Sequence, residues 1–344
     1  MSLMQLLLGT VAKLAPDRPG DKLLDGPGYI GQPIDRADAS PKVQGQAKFA
    51  AEFELDGLVH ASIVCSDTAR GKIESFDLAA ATALPGVLAI LTHENVPKLT
   101  DPPLFDTQGS TSGAAGSSHP ILQGPDITYD GEPVAVVVAE TSEVAEHAAS
   151  LIRVHYHRQP ARTDFEAELP KAETPSDVLG EPAEVRVGEA EIELGRAAYR
   201  VDSRYSTPPY NHVAIEPHAS TAFWSEDGSS LVCLESSQMV QGFKNTLAKV
   251  FSLDPSKVRV LSPFVGGGFG SKALWANSVL CALAAKTVGR PVRMMLTREQ
   301  VFRTVGGRTP SRQPGRFACD GSLAPLMWAE FSTPRPPQVS CGEG

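Results

Sequence analysis

Pro263-Phe-Val-Gly-Gly-Gly-Phe-Gly-Ser-Lys-Ala273 sets four glycines, Gly266, Gly267, Gly268 and Gly270, around one aromatic residue, Phe269. Such a run presents almost no side chain to an approaching group, and its backbone N–H groups can converge into a nest for anions or oxo groups. The β-branched run Val258–Leu261 before it reads as a strand, and residues 273–288 after it read as a helix. Strand, glycine turn and helix start together suit a phosphorylated cofactor. The Walker pattern fails, because Lys272 follows Ser271 where a glycine is required. The dinucleotide fingerprint fails in both registers, at Ser271 and at Ala273. A plainer reading stays open, in which the glycines only let two backbones pack closely.

Working outward, Ala219–Trp224 and Ser230–Glu235 read as two strands joined at Glu226-Asp227-Gly228. Val240, Phe243, Leu247 and Phe251 follow at helical spacing. Gly289 and Pro291 end the helix after the glycine run, and Val292–Leu296 reads as a strand. Earlier in the chain, Leu58–Cys65, Val87–Leu91, Val134–Val138 and Ile152–Tyr156 read as strands and Ser142–Leu151 as a helix. Residues 105–120, rich in Gly, Ser and Thr, read as an exposed loop. Residues 157–196 are polar and proline-bearing and read as a linker. The resulting fold class is α+β.

A length of 344 residues allows about two domains, and 42% apolar with 21% charged residues is ordinary for a soluble chain. The formal charge of −9 argues against a nucleic-acid surface. No stretch reaches the ~18 apolar residues of a membrane span, and Leu6–Leu8 lacks the flanks of a signal peptide. The cysteines, Cys65, Cys233, Cys281, Cys319 and Cys341, show no C-x-x-C spacing for zinc or an iron–sulfur cluster.

Three features together resemble the large, molybdenum-binding subunit of the xanthine dehydrogenase/aldehyde oxidase family. They are the glycine motif Val265–Lys272; Glu235-Ser-Ser-Gln238, with Gln238 placed 31 residues before Phe269; and the early stretches Pro33–Arg36, Lys42–Ala50 and Tyr129–Ala135. The resemblance implies a hammerhead α/β domain followed by the first part of a molybdopterin-binding α+β domain. The expected layout is an N-terminal arm over 1–30, the hammerhead over 31–160, a linker over 161–198, an incomplete first molybdopterin-binding domain over 199–313 and an atypical tail over 314–344. It implies that Gln238 donates to an oxo ligand of molybdenum, and that Gly267, Gly268, Phe269 and Gly270 line the cofactor pocket. No side chain of this chain is expected to ligate the metal. Glu216-Pro217-His218 falls at the family's polar turn near the pocket entrance.

The implied reaction is oxidation of an aldehyde to an acid, with water as the oxygen source. Purine-oxidising members carry a glutamate directly after the motif lysine, where this chain has Ala273. That points to aldehydes, or to aromatic and N-heterocyclic substrates. The implied cofactor is molybdenum-molybdopterin, with a cytosine dinucleotide form as the bacterial expectation. FAD and [2Fe–2S] clusters would sit on a medium and a small partner subunit, in the cytoplasm or exported through a partner's signal. A non-catalytic assembly fragment binding those subunits is the alternative. The family's catalytic glutamate is expected beyond this chain. Residues 314–344 are expected to lack the family pattern, as in a truncated or frameshifted product.

Overall fold

The structure is a computed structural model that describes residues 33–103, 121–175, 177–178, 181–184, 188–273 and 276–319. The arm over 1–30, the loop over 105–120 and residues 320–344 of the expected tail lie outside the described residues. The chain divides into two units, residues 1–47 and 48–344. Among the described residues of the first, one short helix, α1 (Ala39–Val43), follows Asp38. Arg36 and Lys42 both pair with that carboxylate and hold its pKa down at about 2.

In the second unit the strands before the expected linker are β1 (Val59–Cys65), β2 (Gly71–Asp77), β3 (Val87–Thr92), β4 (Asp126–Ile127), β5 (Pro133–Ala139) and β6 (Arg153–Arg158). Within the linker lie β7 (Asp177–Val178) and β8 (Glu181–Pro182). After it come β9 (Tyr199–Thr207), β10 (Ala219–Trp224), β11 (Leu231–Glu235), β12 (Val258–Leu261), β13 (Val292–Met295) and β14 (Ser311–Cys319). The helices are α2 (Ala79–Thr82), α3 (Ser142–Leu151), α4 (Phe165–Glu168), α5 (Ala190–Arg196), α6 (Val240–Val250), α7 (Ala276–Val288) and α8 (Arg298–Thr304).

One seven-stranded sheet, ordered β12-β11-β10-β13-β1-β5-β3, carries the core. The pairs β1–β13 and β11–β12 are parallel and the other neighbours antiparallel. Strands from both sides of the expected linker therefore share one sheet, joined where Val59 lies opposite Val292. β5, Pro-Val-Ala-Val-Val-Val-Ala, is buried along its whole length, which suits a strand covered on both faces. Each valine so buried contributes about 2 kcal/mol. α7 is buried from Asn277 to Ala285 and apolar all round over Val279–Ala285, as a helix sunk in a core must be. It packs on β10 and β13, and Trp224 Nε1–H donates to its Ala282 carbonyl at 2.8 Å.

Two expectations are corrected, and a third gains detail. The helix expected from Ala273 is described from Ala276 onward, and Ser271–Ala273 form a 3-10 turn at the end of the glycine loop. The span expected as a linker, 161–198, carries short elements of its own. Asp164 Oδ1 caps α4 by accepting from Glu166 N–H and Ala167 N–H at 3.0 and 3.1 Å, and α5 follows. The strand pattern does not stop at Gln313, since β14 runs to Cys319 in register with β9. Pro314 is tolerated there because, among the described residues, each strand of this two-stranded ribbon has an edge without a strand partner, which asks for no donor. Among the described residues no helix is long and apolar enough to cross a membrane.

Candidate cofactor site

β12 delivers the chain into the glycine loop, and three neighbours shape that loop from below. Glu216 Oε2 accepts Gly266 N–H at 2.6 Å, while Glu216 N–H donates to the Gly266 carbonyl at 3.2 Å. A Cβ at position 266 would lie 2.5 Å from Glu216 Cβ, and one at position 268 would fall onto the Gln238 amide. The close-packing reading of these glycines is thus correct for Gly266 and Gly268. Between and after them the backbone turns left-handed, with φ of +89° at Gly267, +56° at Phe269 and +99° at Gly270. For Phe269 that conformation is strained, and the residue is 62% exposed. It is therefore no core residue, and its ring stands at the loop surface.

Gln238 lies just before α6 and reaches the loop with both backbone and side chain. Its N–H donates to the Lys272 carbonyl at 3.0 Å. Its Oε1 accepts Gly270 N–H at 3.0 Å and Lys272 N–H at 3.3 Å. Because both partners are N–H donors, the amide oxygen faces them, and Nε2 takes no part in these two contacts. Ser271 folds back, its hydroxyl donating to the Gly268 carbonyl at 2.7 Å.

The structure places Glu216 and His218 beneath the loop, in contact with Gly266 and Ser271. His218 is 3% exposed, and its Nε2 lies 3.2 Å from the Ser271 carbonyl. A carbonyl only accepts, so Nε2 carries a hydrogen. Burial pushes the His218 pKa down to about 4. Lys272, read from the sequence only as the motif lysine, is fully buried with Nζ 2.6 Å from Glu216 Oε2. Burial lowers its pKa, while the Glu216 carboxylate opposes that shift. The loop therefore offers no ammonium to a phosphate, which separates it from Walker-type sites.

Glu235 closes β11 and is buried away from the loop surface. It accepts from Ser220 Oγ at 2.6 Å and Ser278 Oγ at 2.5 Å, and Asn277 Nδ2 donates to Ser220 Oγ at 2.6 Å. Burial raises its pKa from 4.5 to about 7 despite those bonds. Sequence reasoning used Glu235 only as a landmark and missed both this network and the Glu216–Lys272 pair. A charged residue written into an otherwise apolar strand, Leu-Val-Cys-Leu-Glu, was the available signal for the network.

The loop has donors to spare. Among the described residues, the N–H groups of Gly267, Gly268 and Phe269 make no hydrogen bond. Among the described residues, the buried side-chain atoms without a partner are His93 Nδ1, His212 Nδ1, Glu216 Oε1, His218 Nδ1 and Ser236 Oγ, and those of His212, Glu216 and His218 belong to residues that touch this loop. Three consecutive free amides, together with the outward Gln238 amide, make a neutral donor array for oxygen atoms. The residues present fit an oxygen-bearing cofactor. A cavity of about 940 Å³ lies elsewhere, lined by residues that include Tyr129, Phe165, Leu169 and Pro310, and shares no lining residue with the loop.

Comparison with known proteins bears on this array. A family model described as the aldehyde oxidase and xanthine dehydrogenase a/b hammerhead domain matches residues 44–160. One described as the molybdopterin cofactor-binding domain matches residues 171–323. The second match runs past Gln313, so the family pattern extends through β14. The chain is 34% identical over 310 residues to the aldehyde oxidoreductase molybdenum-binding subunit PaoC of Escherichia coli K12, covering 89% of this chain and 40% of that protein. It is 32% identical to the putative xanthine dehydrogenase molybdenum-binding subunit XdhA of the same strain, covering 84% of this chain and 38% of that protein. The crystal structure of quinoline 2-oxidoreductase from Pseudomonas putida 86 matches with a TM-score of 0.72 at 28% identity, over 85% of this chain and 38% of that one. The chain thus spans about two fifths of the curated relatives named here.

Proposed function

The chain belongs to the xanthine dehydrogenase/aldehyde oxidase family of molybdenum-binding large subunits, spanning its hammerhead domain and part of its cofactor-binding domain, and from that premise we propose that it forms one wall of a molybdenum hydroxylase site that oxidises aldehydes. When bound, the molybdenum cofactor, as molybdopterin or its cytosine dinucleotide, supplies two-electron oxidation of the substrate with water as the oxygen source. The observation that carries the proposal is the donor array of Gly267, Gly268 and Phe269 N–H with the outward Gln238 amide.

This chain's residues then have distinct tasks. The Gly267–Phe269 amides bind cofactor oxygens, and Gly270, whose N–H is committed to Gln238, fixes the loop beside them. Gln238 donates from Nε2, and as a neutral amide it remains a donor at any working pH. Phe269, exposed at the loop tip, presents an apolar ring toward cofactor or substrate. Ala273, where a purine-binding carboxylate would stand, supports an aldehyde or a plain heterocycle as substrate. Electrons would leave through a [2Fe–2S] small subunit and an FAD-binding medium subunit, in a cytoplasmic assembly or one exported by a partner's signal.

The second reading is an assembly fragment that binds the flavin and iron–sulfur subunits without turnover. Molybdenum content of the chain co-expressed with those subunits separates the two. Near-stoichiometric metal with aldehyde-dependent dye reduction supports the hydroxylase reading. A retained complex without metal supports the assembly fragment and sinks the first.

A further inference from the structure

Glu216 and Lys272 lie 56 positions apart in sequence and meet under the glycine loop. The Lys272 ammonium is fully buried, 2.6 Å from Glu216 Oε2, and that same oxygen accepts Gly266 N–H at 2.6 Å. One carboxylate oxygen thus holds the first glycine of the loop and the lysine that ends it. The Glu216 backbone is fastened as well, through its N–H to the Gly266 carbonyl at 3.2 Å. Gln238 ties the far end a second time, through Gly270 N–H and Lys272 N–H.

From this geometry we infer that Glu216 and Lys272 are positioning residues, a clasp that sets the conformation of the glycine loop and so the direction of its free amides. The inference rests on reading the loop as cofactor-facing. Glycines lose more backbone freedom on ordering than any other residue, so a loop of four needs external fixation. A buried ion pair is a poor source of global stability, because desolvation offsets its attraction. It is nevertheless directional, and here its direction joins the two ends of the loop. The left-handed residues Gly267, Phe269 and Gly270 all lie between the points it holds. Neither partner belongs to the donor array itself, so the pair acts through the loop.

The test uses the full chain and two double variants, Glu216→Leu/Lys272→Met and Glu216→Gln/Lys272→Met. The first replaces the pair by apolar side chains of similar volume, a change buried pairs often tolerate without loss of fold. The second restores an acceptor for Gly266 N–H without the link to residue 272. Hydrogen exchange is followed in the peptide spanning 263–273 and in the α7 core, residues 279–285. Molybdenum content is measured after co-expression with the medium and small subunits.

The expected result is loop exchange about tenfold faster in the Leu/Met variant, the equivalent of one to two lost hydrogen bonds. Core exchange stays unchanged, and the Gln/Met variant lies between. Molybdenum content falls in the same order while the thermal midpoint does not. Unchanged loop exchange in a folded Leu/Met variant overturns the inference. If that variant does not accumulate, the Gln/Met variant decides: faster loop exchange over an unchanged core supports the clasp, and wild-type rates overturn it. Wild-type chain without molybdenum but with clasp-dependent exchange would reject the cofactor reading and leave the clasp standing.

Discussion

The Gln238 side-chain oxygen accepts the Gly270 N–H at 3.0 Å, and this contact fixes the residue and the loop against each other. Gln238 has two separable jobs, an inward acceptor and an outward donor. Gln238→Glu keeps the acceptor and loses the donor. We expect the thermal midpoint of this variant to stay near wild type while molybdenum content drops. Gln238→Leu loses both, and two N–H groups lose their partner, at a cost of about 1–3 kcal/mol in urea unfolding.

Gly266 and Gly268 owe their identity to neighbours. Gly266→Ala drives a methyl group to 2.5 Å from Glu216 Cβ, and Gly268→Ala drives one onto the Gln238 amide. Each should cost about 1–3 kcal/mol by overpacking, read as a shift in denaturant midpoint. Gly195, in α5, has nothing within 4 Å of an added Cβ. Gly195→Ala should be neutral, or stabilising by up to about 1 kcal/mol, through helix propensity.

Glu235 sets a pH dependence with a definite sign. Burial raises its carboxyl from 4.5 to about 7, so between those values the folded chain binds a proton that the unfolded chain has released. The associated stability is complete below pH 4.5 and is lost as pH rises through about 7. Over that span it amounts to about 3 kcal/mol. Glu235→Gln removes the slope, so urea unfolding at pH 5 and pH 8 should differ less in the variant. His218 works in the opposite sense. Its neutral ring favours folding above pH 6.5, and that contribution is lost as pH falls through about 4.

α8 begins with a reciprocal cap, in which Thr297 Oγ1 accepts Gln300 N–H at 3.2 Å and Gln300 Oε1 accepts Thr297 N–H at 2.9 Å. Thr297→Ala should lower stability by about 1 kcal/mol in thermal or chemical unfolding. Since Arg298 in this helix donates to the Ala214 carbonyl at 2.8 Å, fraying should also loosen the turn that carries Glu216.

Elements whose signals are local were legible. α3 spans the expected Ser142–Leu151 because Thr141 caps it and its apolar positions repeat at helical spacing. β12 spans the expected Val258–Leu261, bounded by the Asp254-Pro255 turn before it and the glycine motif after it. The glycine motif and Gln238 were found in advance, and the structure brings them together. What pairs over long distances was not legible. Nothing near Lys272 says whether its ammonium faces solvent, a ligand or Glu216, since that depends on a turn 56 residues earlier. Nor could local pattern show that Val59–Ala61 would lie beside Val292–Met294. The α4 cap at Asp164 was readable in principle and was masked by the prolines around it.

The β1–β13 pairing also governs when the sheet can exist during synthesis. β1, β3 and β5 can associate once residue 139 has emerged, but the other edge of β1 waits for Val292–Met294. At ~5–20 residues per second, that edge stays unpaired for roughly 10 seconds or longer on the ribosome. A hydrophobic strand held open for so long is a template for wrong partners. The Val59–Ala61 edge is therefore the place where a wrong strand can add before Val292–Met294 arrives.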